Sequence, residues 1–206
     1  MSTAAETFQA LIRGRRSIRR YQPEAVAPDV LQRVLEAATW APSAHNRQPW
    51  RFVVLTETPG RRALGQRMGE LLRAARTADG DDPADIEGDV ARSYNRIAGA
   101  AAAIVVFLTM EDMDTYPDER RSRAEELMAV QGAAMATQNL LVAAHAEGLG
   151  ACWMCAPLFC QSEVGEALGV PPHWQAQALI TLGYPASKGK PAARRPLADV
   201  TFETGT

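Results

Sequence analysis

The stretch from about Arg120 to Glu147 sets the strongest limit on what this chain can fold into. It reads as one long helix, and its centre (Leu127, Met128, Val130, Ala133, Ala134, Met135, Leu140, Leu141, Val142) is apolar almost all the way round. A helix patterned like this buries more than one side. In a chain of 206 residues, that points to a central helix that also meets another subunit. Gly148 and Gly150 stop it.

Around that helix the other elements follow from local chemistry. A short helix covers residues 5–14. A second opens at Pro28, a residue suited to the first helical position, and runs to about Trp40 with Val30, Leu31, Val34, Leu35 and Ala38 at helical spacing. Two more helices open at Pro59, running to about Arg76, and at Pro83, running to about Ile97; a short one spans Ser162–Leu168. Strands are expected at Arg51–Thr56, Ala103–Thr109, Ala151–Cys155 and Ala176–Tyr184. The loops are Ala41–Pro49, Thr77–Asp82 and Glu111–Asp118, and a Pro-, Lys- and Arg-rich tail follows Pro185. With no repeat or linker to divide it, the chain reads as one domain over residues 1–206.

Charge and composition exclude several classes. There are 22 basic and 24 acidic residues, a net charge of −2, so no dedicated nucleic-acid surface is expected. Three cysteines do not make a secreted disulfide framework. The longest apolar run, between Arg96 and Glu111, is too short to cross a bilayer, which takes about 20 residues. A soluble cytoplasmic protein is expected. All its lysines are Lys188 and Lys190, so arginines are judged by position and not by number. No G-x-G-x-x-G or G-x-x-x-x-G-K-[ST] follows a strand, which argues against NAD held on a Rossmann unit.

Four segments could carry chemistry. Arg15-Arg16-Ser17-Ile18-Arg19 places three guanidiniums and a hydroxyl within five residues, either a phosphate site or a solvated basic turn. Pro42-Ser43-Ala44-His45-Asn46-Arg47-Gln48-Pro49-Trp50 is either a loop offering amides to the edge of a polar ring or an ordinary turn with a buried Trp. Gly148-Leu149-Gly150-Ala151-Cys152-Trp153-Met154-Cys155 is a helix stop leading into a small-residue strand that a flat ligand could approach. Lys188, Lys190, Arg194 and Arg195 are further phosphate contacts or a basic tail.

Taken in order, R-R-S-x-R, P-S-x-x-N-x-Q-P-W, G-L-G-x-x-W and a late R-x-P resemble the nitroreductase family across nearly the whole chain. The resemblance implies an α+β three-layer α/β/α sandwich, an intertwined homodimer, and one FMN at each subunit interface. It implies that Arg15, Ser17 and Arg194 hold the FMN phosphate, with Arg16 on the ribityl side and Arg19 near flavin N1 and O2. A fixed cation at that edge stabilises the anionic reduced flavin. Pro42, Ser43 and Asn46 would come from the partner subunit, Cys155 and Ala156 would lie beside N5, and Arg195 would be a neighbour only. Two-electron, ping-pong transfer from NAD(P)H or a reduced deazaflavin to an organic acceptor follows, with no catalytic side chain required. More narrowly, Tyr116-Pro117-Asp118, Ala124–Met128 and Gly148–Trp153 are similar to the reductase domain that acts on a dehydro precursor of the deazaflavin coenzyme F-420. Loops around Met68–Asp89 and Glu111–Asp118 would select the acceptor, and a nitroaromatic or quinone reductase is the broader form of the same reading.

Two rivals remain. Cys152-x-x-Cys155 with Cys160 reads as packing thiols, a redox dithiol or part of a metal site. In a strand, residues 152 and 155 would point to opposite faces, which disfavours a bridge. A non-catalytic flavin or deazaflavin binder also fits the motifs. His145, inside the long helix, is expected to be structural, and His45 is placed in the flavin-side loop.

Overall fold

The computed structural model describes residues 2–204; Met1, Gly205 and Thr206, which the single-domain reading includes, lie outside the described residues. Helix α1 spans Ala4–Gly14, α2 Pro28–Thr39, α3 Thr58–Ala78, α4 Pro83–Ala98, α5 Glu119–Ala146 and α6 Gln161–Leu168. Strand β1 spans Trp50–Leu55, β2 Ala102–Leu108, β3 Gly150–Met154 and β4 Gln175–Gly183. Their starts are set by capping chemistry. Thr3 and Glu6 form a reciprocal capping box on α1, Asp82 accepts from Ala84 N–H and Asp85 N–H at α4, and Asp118 accepts from Arg121 N–H at α5. The expected elements are all present, with ends moved by one or two residues. The strand expected at Ala151–Cys155 ends at Met154, and Cys155 takes a helical conformation leading into a 3-10 turn over Ala156–Phe159.

The four strands form one antiparallel sheet in the order β1-β2-β4-β3. Side chains alternate across it. From β2, Ala102, Ile104, Val106 and Leu108 join a core with α2 and α5, while Ala103, Val105 and Phe107 join a second core with α3, α4 and α6. A bulge between Val106 and Phe107 reverses the alternation of β4 there, so Ala178 and Ala176 serve opposite faces. Helices thus cover both faces of the sheet, the three-layer α+β arrangement that the motifs implied.

By length and composition α5 could cross a membrane, but one of its faces is core. Ala129, Ala133, Ala136, Leu140, Leu141 and Ala144 pack toward the sheet and α2. The opposite face, with Leu127 (51% exposed) and Met135 (39% exposed), is uncovered, so the all-round apolar pattern is only half satisfied within one chain. Helix α1 has no buried residue, and Phe8, Leu197, Val200 and Phe202 are exposed as well.

The segment between α1 and α2 is tied to the sheet. Ile18 N–H donates to Ala151 O at 2.9 Å, continuing β3 sideways. The Tyr21 hydroxyl lies 2.6 Å from Ile18 O and 2.9 Å from Thr181 O, sharing its proton between them, and 2.8 Å from the Thr181 hydroxyl. Burial pushes the Tyr21 phenol well above its usual pKa, with the Thr181 bond pulling the other way. Tyr21→Phe leaves these buried acceptors short of a donor. It should cost about 1–3 kcal/mol in urea unfolding, and an unchanged midpoint would show that the arm is held by something else.

His145 packs against Gly14, where an added Cβ would lie 2.8 Å from its Nε2. Burial, and then the Arg15 and Arg16 charges, hold its pKa below the ordinary value. The folded chain therefore favours neutral imidazole, while the unfolded chain takes up a proton near pH 6.5. Stability should fall as pH drops through and below that value. The urea midpoint of the wild type should decline more between about pH 7.5 and 5.5 than that of His145→Gln. Parallel declines would place the acid sensitivity at another group.

Candidate functional site

Two cavities meet at Arg19. The first is a cleft of about 1180 Å3 between the turn that follows α1 and the C-terminal tail. Its walls carry Arg13, Arg15, Arg16, Arg19 and Arg20 from one end of the chain and Lys188, Lys190 and Arg194 from the other, together with Ser17, and no lining residue is acidic. The expected residues Arg15, Arg16, Ser17, Arg19 and Arg194 are thus brought together. Arg195 is not among the lining residues and is exposed.

Local backbone chemistry builds this cleft. The Arg16 guanidinium donates to Arg13 O at 2.5 Å and Arg15 O at 2.8 Å, closing the turn after α1. Arg194 Nη1 donates to Ala193 O at 3.0 Å, which curls the tail in the same way. The tail reaches the turn through Gly189, whose φ is +70° and whose missing Cβ would sit 2.8 Å from Arg16 Cβ. A side chain there would be both strained and obstructed. Eight cations without a counter-charge make a site for a multiply charged anion, and the Ser17 hydroxyl adds a neutral donor.

The second cavity, of about 310 Å3, lies between α4 and the end of β3. It is lined by Arg19, Leu72, Asp89, Arg92, Ser93, Arg96 and the segment Cys152–Ala156. Cys155 and Ala156 are therefore at this cavity, next to the cationic cleft. Strand β3 is an edge strand. Since the Ala151 carbonyl is turned outward to Ile18, alternation turns the backbone groups of Trp153 toward the same edge, where no strand pairs beyond residue 151 among the described residues. A flat, hydrogen-bonding ring can be met there by bare backbone.

The cysteines divide by burial. Cys152 and Cys160 are buried, with sulfurs near Trp153 O at 3.6 Å and Ala156 O at 3.5 Å, and Cys155 is exposed. Burial raises the pKa of both buried thiols; at Cys152, Arg19 and Arg96 pull the other way. Cys155 lies past the strand end, so strand alternation does not set its direction relative to Cys152. Among the described residues, no group of three His, Cys, Asp or Glu side chains is placed to hold a metal ion.

Pro42, Ser43 and Asn46 line neither cavity. Their loop packs elsewhere on α5, where a Cβ on Gly132 would meet Ser43 and Pro49 at 3.4 Å. The loop is unusually constrained: His45, Asn46 and Gln48 all have positive φ, at 48°, 54° and 49°. Three such non-glycine residues together store strain of the kind found at ligand-binding segments. The Ser43 hydroxyl accepts from Gln48 N–H at 2.9 Å and holds the loop closed, and Arg47 pairs with Asp114 at 2.6 Å. The Glu111–Asp118 segment is thereby docked beside this loop. Of the Met68–Asp89 stretch, Leu72 and Asp89 reach the second cavity, both from helices and not from loops.

Sequence reasoning missed Gln9 and Gln138 in the cleft and Arg92, Ser93 and Arg96 in the second cavity. Gln138 had a signal, as a polar break in an apolar helix. Arg92 and Arg96 had one in their spacing: two arginines four apart share a helix face, which without an anion is repulsive.

Comparison with known proteins identifies the family. A Thermus thermophilus protein named NADH dehydrogenase is 31% identical, with 91% of each chain covered. A solved structure of a Desulfovibrio desulfuricans protein in complex with FMN is 32% identical and covers 100% of this chain and 99% of its own, with a TM-score of 0.75. The FMN-dependent nitroreductase NfnB from Mycobacterium smegmatis, solved with NADPH, is 21% identical over 98% of this chain and 100% of its own; its TM-score of 0.77 speaks for the fold. The nitroreductase family model itself matches residues 12–184, from the end of α1 to the end of the sheet. The chain belongs to the nitroreductase family.

Proposed function

We propose that this chain, an FMN-dependent oxidoreductase by its family, works as a single-domain cytoplasmic enzyme carrying two electrons from a reduced nicotinamide to an organic acceptor. The observation that carries this reading is the convergence of guanidinium and ammonium groups from both chain ends on one cleft without a carboxylate, beside an uncovered strand edge. When bound, FMN supplies reversible two-electron hydride chemistry. Arg15, Ser17 and Arg194 would hold its phosphate, and Arg16, fixed by two carbonyls, would stand on the ribityl side. Arg19, shared by both cavities, supplies the cation for the N1 and O2 edge, where reduction places negative charge. The backbone at Cys155 and Ala156 would face N5. The relative named NADH dehydrogenase supports NAD(P)H as the donor.

The proposed enzyme is a homodimer. Its support is the uncovered apolar face of α5 with the exposed side chains of α1 and the tail, a surface that one chain leaves in water. Pro42, Ser43 and Asn46, which do not line the cleft of their own chain, would complete the site of the second copy. A deazaflavin partner, including a dehydro precursor of the deazaflavin coenzyme, is the finer form of the proposal. Motif similarity supports it, as does a cleft with more cations than one phosphate requires.

Stopped-flow reduction of the FMN-loaded protein by NADH, NADPH and a reduced deazaflavin in parallel tests the activity. Rapid bleaching by at least one donor is expected, followed by reoxidation with a quinone or nitroaromatic; negligible rates with all three would refute it. Combining Arg15→Ala with Arg194→Ala removes two charge-assisted phosphate contacts. It should weaken FMN binding by about a hundredfold or more. Undiminished FMN retention on gel filtration would put the phosphate elsewhere.

A further inference from the structure

Glu125, in the second turn of α5, is the one acidic side chain among the described residues that is fully buried, at 1% exposure. One of its carboxyl oxygens accepts from Asp114 N–H at 3.2 Å, and the other is buried with no hydrogen-bond partner among the described residues. Burying a carboxyl with half of its acceptors unused is costly, and a leucine would fill similar space without that cost. Glu125 does, however, begin a chain of contacts that ends at a strained loop. Asp114 is pinned from both sides: its N–H points in to Glu125, and its carboxylate points out to Arg47 at 2.6 Å. Arg47 stands among His45, Asn46 and Gln48, the three residues with positive φ. The same face of α5 meets that loop again two turns along, at Gly132, where a Cβ would touch Ser43 and Pro49 at 3.4 Å. Thr109 N–H donates to Pro49 O at 2.9 Å, so the ends of the loop are fixed by β2 and α5. The Arg47–Asp114 pair ties its strained middle to the segment that Glu125 anchors.

We propose that Glu125 is a positioning residue: through Asp114 and Arg47 it keeps the loop in the shape in which Ser43 and Asn46 meet the flavin ring of the second copy. The role rests on the functional reading above for one point, that this loop serves the partner's site. Backbone strain persists only where the surroundings over-determine it. Releasing Asp114 lets the residues at positive φ relax, and the loop then loses its aim without losing its attachment at Gly132 and Thr109. The cationic cleft is built by the arm and the tail, so it stays as it is.

Because ring and phosphate are held by different chains in this scheme, they can be titrated apart. Riboflavin reports the ring, inorganic phosphate reports the cleft, and FMN reports both. Glu125→Leu should weaken riboflavin and FMN by a similar factor, about tenfold, and leave phosphate affinity unchanged. Glu125→Gln, which keeps an oxygen for Asp114 N–H, should restore most of the loss. Arg47→Gln should copy Glu125→Leu, and the double variant should bind no more weakly than either single one, because both substitutions cut the same chain. Hydrogen exchange over residues 43–49 should run about tenfold faster in both. If Glu125→Leu does not fold, Asp114→Asn and Arg47→Gln carry the same comparison from the solvent-facing end. Equal losses of riboflavin and phosphate, additive effects in the double variant, or unchanged exchange in the loop would each overturn the proposal. A wild type that binds no flavin, with the exchange difference present, defeats the functional reading and leaves Glu125 as the support of the loop. Flavin binding that is indifferent to every variant does the reverse.

Discussion

Ile18 fastens three segments that are remote in sequence. Its N–H continues the edge of β3 through Ala151, and its side chain is buried between two glycines. A Cβ on Gly150 would come within 2.6 Å of Ile18 Cβ, and one on Gly189 within 2.9 Å of its Cδ1. Only bare backbone on both sides admits the strand and the tail to the same isoleucine. The residues flanking Ile18 are Ser17 and Arg19, and those flanking Gly189 are Lys188 and Lys190. One apolar contact thus sets the spacing of the cationic groups around it. Tyr21 and Thr181 lock the far end of the arm, so that charge repulsion cannot swing it off the sheet.

That repulsion is considerable. A net charge of −2 conceals a strong separation, because the carboxylates are engaged on other surfaces. Arg33 bridges Asp29 and Glu147, Arg73 pairs with Glu87, and Asp81 and Asp89 hold Arg76. The cleft keeps eight cations and none of those acids. A fold with such a cleft gains stability from whatever anion fills it, since ligand binding to the folded state alone raises its population. Phosphate recognition and the integrity of the arm are therefore coupled through the same residues.

Helices and strands were readable because their signals are local. Pro28 and Pro83 open helices, alternating or continuous apolar runs mark strands, and the capping side chains of Asp82 and Asp118 agree with both. The cationic half of the site was readable too, because R-R-S-x-R packs its donors into five residues. What remained hidden is what only tertiary packing decides. Gly189 gives no sign in sequence that it must clear Arg16 and Ile18. Arg92 and Arg96 share a helix face in the sequence, but that this face fronts a cavity emerges only when β3 is folded against it. The strand ends one residue before the apolar pattern does, because Cys155 is apolar enough to continue a strand but turns helical ahead of Pro157. Likewise the apolar centre of α5 announced two buried sides, and one chain supplies only one of them.

Arg19 belongs to both cavities, and this ties the cationic cleft to the space at the end of β3. Among the described residues its guanidinium has no carboxylate partner, so its field is available to either neighbour. An anion held beside it in the cleft lowers the local potential for a second anion across β3, and reduction of the cofactor would lower it further by placing charge at the same edge. Arg96 is close enough to Arg19 for both to act on the Cys152 thiol, yet it stands on a different element and takes no part in the cationic cleft. Asp89 is engaged by Arg76 and Arg92, and Arg96 has no ion pair among the described residues. The positive field at the end of β3 therefore draws on two elements, the arm that carries Arg19 and the helix that carries Arg96.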